Sequence, residues 1–255
     1  MNTSKIFRII ASTLCLICVI ASGIIIINWF VSRQKQKDIE NKVSNYITVN
    51  ETVAYETTND EAPTEPVLKY SVDFEKLCET NSDTVAWIKI EGTSIEYPVV
   101  QTNNNEYYLD HDLNKEYNVA GSIFMSYKSN SENLNTNTVL FGHNMKDGSM
   151  FAGLNTILDK ISKDNYKRYK VTFITKNHYY EGYIFSAYET DPNSRYIQTE
   201  FEDKEDFNKF KKEIKNNSRF YDNIEASAPI LTLSTCSTRF PGARTAIHIQ
   251  LEQLK

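Results

Sequence analysis

Hydrophobic and polar residues are distributed unevenly along this chain of 255 residues. No charged residue occurs between Ile9 and Ser32, a run of 24 positions. As a helix, this run would measure roughly 36 Å, which is enough to cross the hydrocarbon core of a bilayer. The pattern therefore predicts a transmembrane anchor over residues 9–32, preceded by a short cytoplasmic segment over residues 1–8.

A cleaved signal peptide is the alternative interpretation of this run. Lys5 and Arg8 form a basic flank before it, and residues 21–23 are small, as at signal-peptide cleavage sites. The apolar run continues to Val31 and is longer than a typical signal-peptide core, so we favour an uncleaved anchor. Basic residues flank the run on both sides, and the positive-inside rule therefore does not fix its orientation.

The next segment, residues 33–69, is polar and ends in a stretch that contains Pro63 and Pro66. This composition is typical of a linker or stalk. Residues 34–46 are compatible with a helical extension, whereas residues 49–66 have too few periodic apolar positions to pack. We therefore predict a linker over residues 33–69 and a folded domain over residues 70–255.

Within the folded domain, short apolar runs alternate with turn signals. Residues 85–90 and 95–100 flank Gly92 and predict a β-hairpin. Many short strands without regular strand–helix alternation predict a mainly β, barrel-like fold with peripheral helices. The further predicted strands are 121–126, 138–142, 169–175, 179–188, 230–234 and 244–251, and the predicted helices are 71–79, 147–158 and an amphipathic 202–215.

The composition narrows the possible functions. Apolar residues make up 40% of the chain and aromatic residues 12%, which is sufficient for a packed interior. The net charge is −5 with acidic and basic residues interspersed, and this argues against nucleic acid as a partner. The chain has no phosphate-binding glycine loop, dinucleotide fingerprint or zinc-binding spacing, so the sequence indicates neither a cofactor nor a metal.

The cysteines are the first candidates for a catalytic residue. Cys15 and Cys18 lie in the apolar run, which leaves Cys78 and Cys236 for the folded domain. A disulfide framework is not expected, although one bridge between Cys78 and Cys236 is compatible with the count. Cys236 ends the apolar run that starts at residue 228, and a side chain at a strand end is held in place yet accessible. This position favours a nucleophile, with a buried structural cysteine as the alternative.

A thiol attacks as the thiolate, so a catalytic cysteine needs an imidazole or a guanidinium nearby. His143 follows the apolar run 138–142 and lies at a second predicted strand end. Arg244 begins the last predicted strand, eight residues after Cys236, a spacing that allows the chain to fold back onto the thiol. Arg239 competes with Arg244 for this role, although its position predicts a loop.

The other histidines are weaker candidates. His248 alternates with apolar residues in the last predicted strand, which indicates a surface or packing residue. His178 lies in a predicted turn. His111 stands between Asp110 and Asp112, without the further ligands that a metal site requires.

Together these residues resemble the sortases, a family of cysteine transpeptidases. Segment 232–236, Thr-Leu-Ser-Thr-Cys, resembles the sortase active-site strand, with segment 140–143, Leu-Phe-Gly-His, and Arg244 as its partners. The predicted helix 202–215 resembles the insertion that marks class B. The resemblance extends over roughly residues 70–254 and is carried further by segments 81–88, 97–101 and 121–125.

The resemblance implies an eight-stranded sortase-type β-barrel over residues 70–255, held outside the cell membrane of a Gram-positive organism by a single-pass anchor. It implies that Cys236 attacks the Thr carbonyl of a C-terminal sorting motif in surface proteins and forms a thioester. His143 would protonate the leaving amine and then help to activate the incoming one. Arg244 would stabilise the oxyanion or orient the peptide.

The resemblance also implies partners. The substrate would be a peptide like Asn-Pro-Gln-Thr-Asn or Pro-x-Thr-Gly, and the acceptor an amine of peptidoglycan or of its lipid-linked precursor. Loop 237–243 lacks an acidic residue that follows the cysteine in some relatives, so no Cys-His-Asp triad is assigned. Phe141 stands where some members have Tyr. The residues that match substrate-groove positions of class B are Asn105, Ser234, Tyr196, Ile197 and Phe141.

Two alternatives from other functional classes stay open at this point. A membrane-anchored cysteine peptidase would form the same acyl-enzyme and pass it to water. A non-enzymatic surface-binding module would tolerate Cys236→Ala without loss of activity. A papain-like protease fits less well, because its cysteine precedes its histidine in the chain and its Cys-Gly-Ser-Cys-Trp pattern is absent here.

Overall fold

A computed structural model describes residues 3–50, 68–223 and 228–254 of the chain. Residues 51–67 of the predicted linker therefore lie outside the described residues. The elements in chain order are α1 (Thr3–Ser44), β1 (Ile47–Val49), β2 (Tyr70–Val72), α2 (Phe74–Thr80), β3 (Thr84–Ile90), β4 (Glu96–Val100), β5 (Ile123–Met125), β6 (Asn137–Phe141), α3 (Ala152–Lys160), β7 (Val171–Thr175), β8 (Tyr179–Thr190), α4 (Lys204–Asn217), β9 (Phe220–Tyr221), β10 (Ile230–Cys236) and β11 (Arg244–Leu254).

Eight strands close into a barrel in the order β3-β4-β5-β6-β10-β11-β8-β7, with β7 returning to β3. The antiparallel pairing of β11 with β8 completes the ring, and β9 adds to the edge of β8. Two pairs, β4–β5 and β6–β10, are parallel. The predicted mainly β fold with an eight-stranded barrel is confirmed.

Alternation along β10 divides its side chains between two environments. Leu231 and Leu233 are fully buried in the main core cluster inside the barrel, together with Ile247 and Ile249 of β11. Since successive residues of a strand point to opposite faces, Cys236 lies on the other face of the sheet. The nucleophile candidate is exposed there.

Two of the helices, α4 and α3, begin later than predicted. Asp203 accepts a hydrogen bond from the backbone N–H of Asp206 at 2.8 Å, so α4 starts two residues after the predicted position. The helix predicted from residue 147 starts at Ala152 instead. Asp147 there accepts from the N–H of Ser149 at 3.1 Å and forms a turn before the helix.

Helix α1 is longer than the predicted anchor. Its part from Ile10 to Ser44 is long and apolar enough to cross a membrane, a property that signal sequences share. The boundary predicted at residue 33 falls inside this helix, and Gln36, Ile39 and Val43 are buried against the barrel. Strand β1 then pairs with β2. Residues 36–49 thus pack on the domain, which differs from the linker predicted over residues 33–69.

Candidate active site

Cys236 lies at the end of β10, between two strands that carry its proposed partners. On one side β10 pairs with β11, and Cys236 is the direct partner of Arg244. Directly opposite residues of antiparallel strands have Cβ atoms about 4.5–5.5 Å apart. On the other side β10 runs parallel to β6, where Ser234 is the partner of Phe141.

His143 reaches the same edge of the barrel through the parallel pair. Cys236 and His143 each lie two residues beyond the Ser234–Phe141 pair, in strands that run in the same direction. The N–H of Gly142 donates to the Ser234 carbonyl at 3.2 Å and extends this pairing by one residue. The structure therefore brings His143, Cys236 and Arg244 to one edge of three adjacent strands.

Gly142 allows the close packing that precedes His143. A Cβ atom at this position would lie 2.4 Å from Ile123 Cδ1 and 2.9 Å from the ring of Phe151. The His143 carbonyl also accepts from the N–H of Phe151 at 2.9 Å. A side chain at residue 142 would therefore require Ile123, Phe151 or the backbone before His143 to shift.

The imidazole of His143 makes one hydrogen bond that fixes its tautomer. Its Nε2 atom lies 2.7 Å from the carbonyl oxygen of Leu109. A carbonyl only accepts, so Nε2 carries the hydrogen. In the neutral ring Nδ1 then holds a free lone pair, and this nitrogen is the one able to take a proton from a nearby thiol.

The two candidate arginines differ in their partners. Arg239 lies in the loop after Cys236 and pairs with Asp159 and with Glu189, whose Oε1 is 3.1 Å from Nε. Arg244 donates to the backbone carbonyls of Gly242 and Ala243, at 3.0 and 3.3 Å. In the described part of the chain no carboxylate pairs with Arg244, so its charge is available to the Cys236 thiol.

The residues matched to the substrate groove fall into two groups. Tyr196, in the short 3₁₀ helix Arg195–Ile197, places its hydroxyl 2.9 Å from Ser234 Oγ, and both side chains are buried. Burial raises the pKa of Tyr196, and the charges of Arg244 and Cys236 act on it more weakly. Ser234 lies two residues before Cys236 in β10, so Tyr196 contacts the strand that carries the thiol.

The other three matched residues contact neighbouring elements. Phe141 is half-buried, with its ring centroid 5.4 Å from that of Phe124, and Ile197 packs on the cluster beneath α4. Asn105 accepts from the N–H of Tyr127 at 3.0 Å, in the loop that leads to Leu109. The hydrogen bond of Asn105 to Tyr127 connects two loops and does not involve Cys236.

A buried chain of hydrogen bonds under the groove was not expected from the sequence. Asn137 Nδ2 donates to the carbonyls of Tyr196 and Gln198, at 3.2 and 2.8 Å. Its Oδ1 accepts from Thr232 Oγ1 at 2.5 Å, and Thr232 in turn accepts from His248 Nδ1 at 2.7 Å. His248 is fully buried and therefore has the packing role that was one of its two predicted roles.

The hydrogen bonds of this buried chain all point in the same direction, from Tyr188 towards Asn137. Because His248 donates from Nδ1, its Nε2 accepts from the Tyr188 hydroxyl at 3.1 Å. Thr232 and Ser234 alternate along β10 and face the same side as Cys236, and this alternation was a usable sequence signal. Asn137 gave no such signal, because a polar residue at the start of a strand looks like part of a loop.

The cysteines are all free in the structure. The Cys78–Cys236 bridge that the sequence left open is absent. Cys78 Sγ instead lies 3.7 Å from the carbonyl oxygen of Thr84, whereas Cys236 is exposed at the barrel edge. The Cys236 thiol is therefore available for chemistry.

Comparison with known proteins gives consistent similarities. The sortase domain family model matches residues 88–250. The chain is 38% identical over 201 residues to Sortase B of Listeria monocytogenes, covering 78% of this chain and 80% of that protein. It is 36% identical over 185 residues to Sortase B of Staphylococcus aureus, covering 71% and 75%.

Solved structures show the same relationship. A Staphylococcus aureus sortase B–substrate complex superposes with a TM-score of 0.66 at 35% identity, covering 72% of this chain and 86% of that one. Clostridium perfringens sortase B superposes with a TM-score of 0.64 at 33% identity, covering 70% and 99%. The similarity spans the barrel and the edge at which Cys236 lies.

Proposed function

This chain belongs to the class B sortases, a family of cysteine transpeptidases, and we propose that Cys236, His143 and Arg244 carry out its reaction. The observation that carries this assignment is the strand register. It pairs Cys236 with Arg244 and brings His143 to the same edge through the parallel strand β6. A side chain held at the end of a barrel strand is fixed yet accessible to a peptide.

The proposed reaction has two steps. The Cys236 thiolate attacks the carbonyl carbon of the motif threonine, and the peptide bond after that threonine breaks as its nitrogen takes a proton from His143. The product is a thioester on Cys236. An incoming amine then attacks the thioester and loses a proton to His143, so a new amide bond forms and the thiolate is released.

Arg244 supports both steps as a fixed positive charge. Each attack places negative charge on the carbonyl oxygen, and preorganised donors at that position lower the barrier. The guanidinium of Arg244, which no described carboxylate neutralises, suits this role better than that of Arg239, which is held by two carboxylates. Arg244 also favours the thiolate over the thiol.

For the substrate we propose a sorting-motif peptide, like Asn-Pro-Gln-Thr-Asn or Pro-x-Thr-Gly, with an amine of peptidoglycan or of its lipid-linked precursor as acceptor. The similarity to a relative described as a substrate complex supports a peptide substrate. Phe141 lacks the hydroxyl of some relatives and would make apolar contacts only. The residues proposed to form the groove are Asn105, Ser234, Tyr196, Ile197 and Phe141.

We also propose that α1 anchors the enzyme in the cell membrane as a single pass, with the barrel outside. The length and apolar character of its part from Ile10 to Ser44 support this proposal. The alternative is removal of the N-terminal part as a signal peptide. Mass spectrometry of the membrane fraction distinguishes the two, because an anchor keeps residues 1–23 and a cleaved signal peptide does not.

Trapping the acyl-enzyme tests the proposed reaction. The full chain in detergent is mixed with an internally quenched Asn-Pro-Gln-Thr-Asn peptide or a Pro-x-Thr-Gly peptide, with and without triglycine as the acceptor amine. We expect a thioester on Cys236 by mass spectrometry, and a ligated product only when triglycine is present. Cys236→Ala and His143→Ala should lose turnover while their circular dichroism spectra stay unchanged.

The same experiment separates the alternatives. Cleavage without ligation would indicate a cysteine peptidase that uses water. Binding without cleavage would indicate a surface-binding module. Continued turnover by Cys236→Ala would refute the assignment of the nucleophile.

A further inference from the structure

One side chain outside the three proposed catalytic residues contacts the strand end that carries the nucleophile. Asn155 of α3 donates from Nδ2 to the backbone carbonyl of Cys236 at 3.1 Å. Its Oδ1 accepts from Thr245 Oγ1 at 2.6 Å. Both halves of the amide are therefore used, and the side chain has a single orientation.

The two partners of Asn155 belong to different strands. Cys236 ends β10, and Thr245 follows Arg244 at the start of β11. Asn155 thus connects the strand of the nucleophile to the strand of the arginine, at the point where the two strands separate. Beyond this point the N–H of Ser237 donates to the Ala243 carbonyl at 2.9 Å, and the chain then continues into a loop whose residues 238–242 are exposed.

Helix α3 is a rigid support for this contact. Its residues Leu154, Ile157 and Leu158 are buried in the main core cluster. Asp159 lies one helical turn after Asn155, on the same face, and pairs with Arg239 of the loop. That ion pair is half-exposed on both sides and contributes little. Asn155, in contrast, donates directly to the backbone of Cys236.

We propose that Asn155 is a positioning residue for Cys236. This inference rests on the proposed function. A nucleophile displaced by a fraction of an ångström from its attack geometry loses rate steeply, whereas a peptide bound along the groove is little affected. Asn155 should therefore act on kcat, through the position of the thiol, and leave KM nearly unchanged.

Two substitutions test this in the full chain in detergent, with the Asn-Pro-Gln-Thr-Asn peptide as probe. Asn155→Ala removes both hydrogen bonds and should lower kcat about tenfold with KM within about twofold. Alanine favours helices, so α3 should be retained. Thr156→Ala, at the exposed neighbouring position of the same helix, is the matched control and should have wild-type kcat and KM.

A second readout needs no peptide. Asn155→Asp keeps the acceptor for Thr245, loses the donor to the Cys236 carbonyl and places a carboxylate near the thiol. This negative charge disfavours the Cys236 thiolate. The rate of iodoacetamide modification, followed by mass spectrometry of the peptide that contains Cys236, should therefore be lower than in the wild type and in Thr156→Ala.

A double variant tests the contact between Asn155 and Thr245. If Asn155 acts together with Thr245, the effects of Asn155→Ala and Thr245→Val on kcat should not multiply in the double variant. The inference is overturned if Asn155→Ala changes kcat less than twofold, or if it changes only KM. If the wild type fails to cleave the peptide, the proposed function fails instead, and equal alkylation rates of Cys236 in Asn155→Ala and Thr156→Ala would still overturn the inference.

Discussion

Two arginines near Cys236 in sequence differ in what their guanidinium groups contact, and this difference decides which can serve a reaction. Arg239 is held by carboxylates of α3 and β8. Among the described residues, Arg244 is held by two backbone carbonyls of its own loop and by no carboxylate. A carboxylate partner would neutralise the charge that a thiolate or an oxyanion needs, whereas carbonyls orient the group and leave its charge in place.

Exchange of each arginine for lysine tests this difference. Arg244→Lys keeps the charge but loses the planar fork of donors, so kcat/KM for the peptide should fall about 10²–10³-fold. Arg239→Lys keeps an exposed ion pair worth at most about 1 kcal/mol, and kcat/KM should stay within about threefold. Equal losses in the two variants would contradict the assignment of Arg244.

The burial of His248 predicts a pH dependence of the free energy of unfolding. Burial lowers its pKa to about 3, whereas an unfolded histidine titrates near 6.5. Above pH 6.5 the ring is neutral in both states and has no effect on the pH dependence. Below pH 6.5 only the unfolded state binds the proton, so the free energy of unfolding falls by up to about 1.4 kcal/mol per pH unit.

The variant His248→Gln isolates this contribution from that of the carboxylates. At pH 7 the wild type should be the more stable protein, because glutamine cannot complete the chain between Tyr188 and Thr232. The difference in unfolding free energy, from urea denaturation, should shrink by about 2 kcal/mol between pH 7 and pH 5. A difference that does not vary with pH would show that His248 titrates normally.

At the scale of elements, the buried chain connects strands β6, β10, β11 and β8 to the 3₁₀ helix Arg195–Ile197. Asn137 is the last member, and it holds that helix through the carbonyls of Tyr196 and Gln198. The orientation of its amide depends on Thr232, which donates to Oδ1. The barrel wall thus sets the position of the segment that carries Tyr196 and Ile197.

Removal of one hydroxyl from this chain should loosen that segment. Thr232→Val leaves Asn137 Oδ1 and His248 Nδ1 without partners and should lower the free energy of unfolding by about 1–3 kcal/mol. We expect KM for the peptide to rise about three- to tenfold, with kcat within about twofold, because the loosened segment lies in the proposed groove.

The matched control is Thr138→Val, at the neighbouring position of Asn137. The Thr138 hydroxyl is buried and makes no hydrogen bond to any described residue. Its removal should therefore leave stability and KM nearly unchanged or slightly improved. Similar KM values for Thr232→Val and Thr138→Val would contradict the role of the buried chain.

The strands were predictable because alternation is local, as along β10, where Leu231 and Leu233 face the core and Cys236 faces out. Which strands pair in the sheet was not predictable, since the parallel pair β6–β10 joins segments almost a hundred residues apart. The same limit applies to Asn137 and Asn155. A polar side chain shows its function only through partners that the tertiary fold supplies. Cys236 and His143 were found because both end apolar strands.

At the scale of the whole molecule, α1 is one continuous helix that joins an apolar segment long enough to cross a membrane to the barrel. Its C-terminal turns contact the barrel through Ile39 and Val43, and Arg33 pairs with Asp147 at 3.4 Å. Asp147 lies four residues after His143, so the helix contacts the loop that follows this proposed catalytic residue. The buried residues at positions 36, 39 and 43 lie in a polar stretch. Three positions are too few for sequence periodicity to reveal this buried face.

Truncation tests whether this helix belongs to the folded domain. Fragment 34–255 keeps Ile39, Val43 and β1, whereas fragment 70–255 loses them and leaves β2 unpaired. Burial of a Val or Ile side chain contributes about 1.5–3 kcal/mol, so the shorter fragment should be less stable by about 3–6 kcal/mol in urea denaturation. Lys35→Ala in fragment 34–255 removes only an exposed ion pair with Glu116 and should cost less than about 1 kcal/mol. Equal stability of the two fragments would mean that the helix is a tether to the membrane and not a part of the domain.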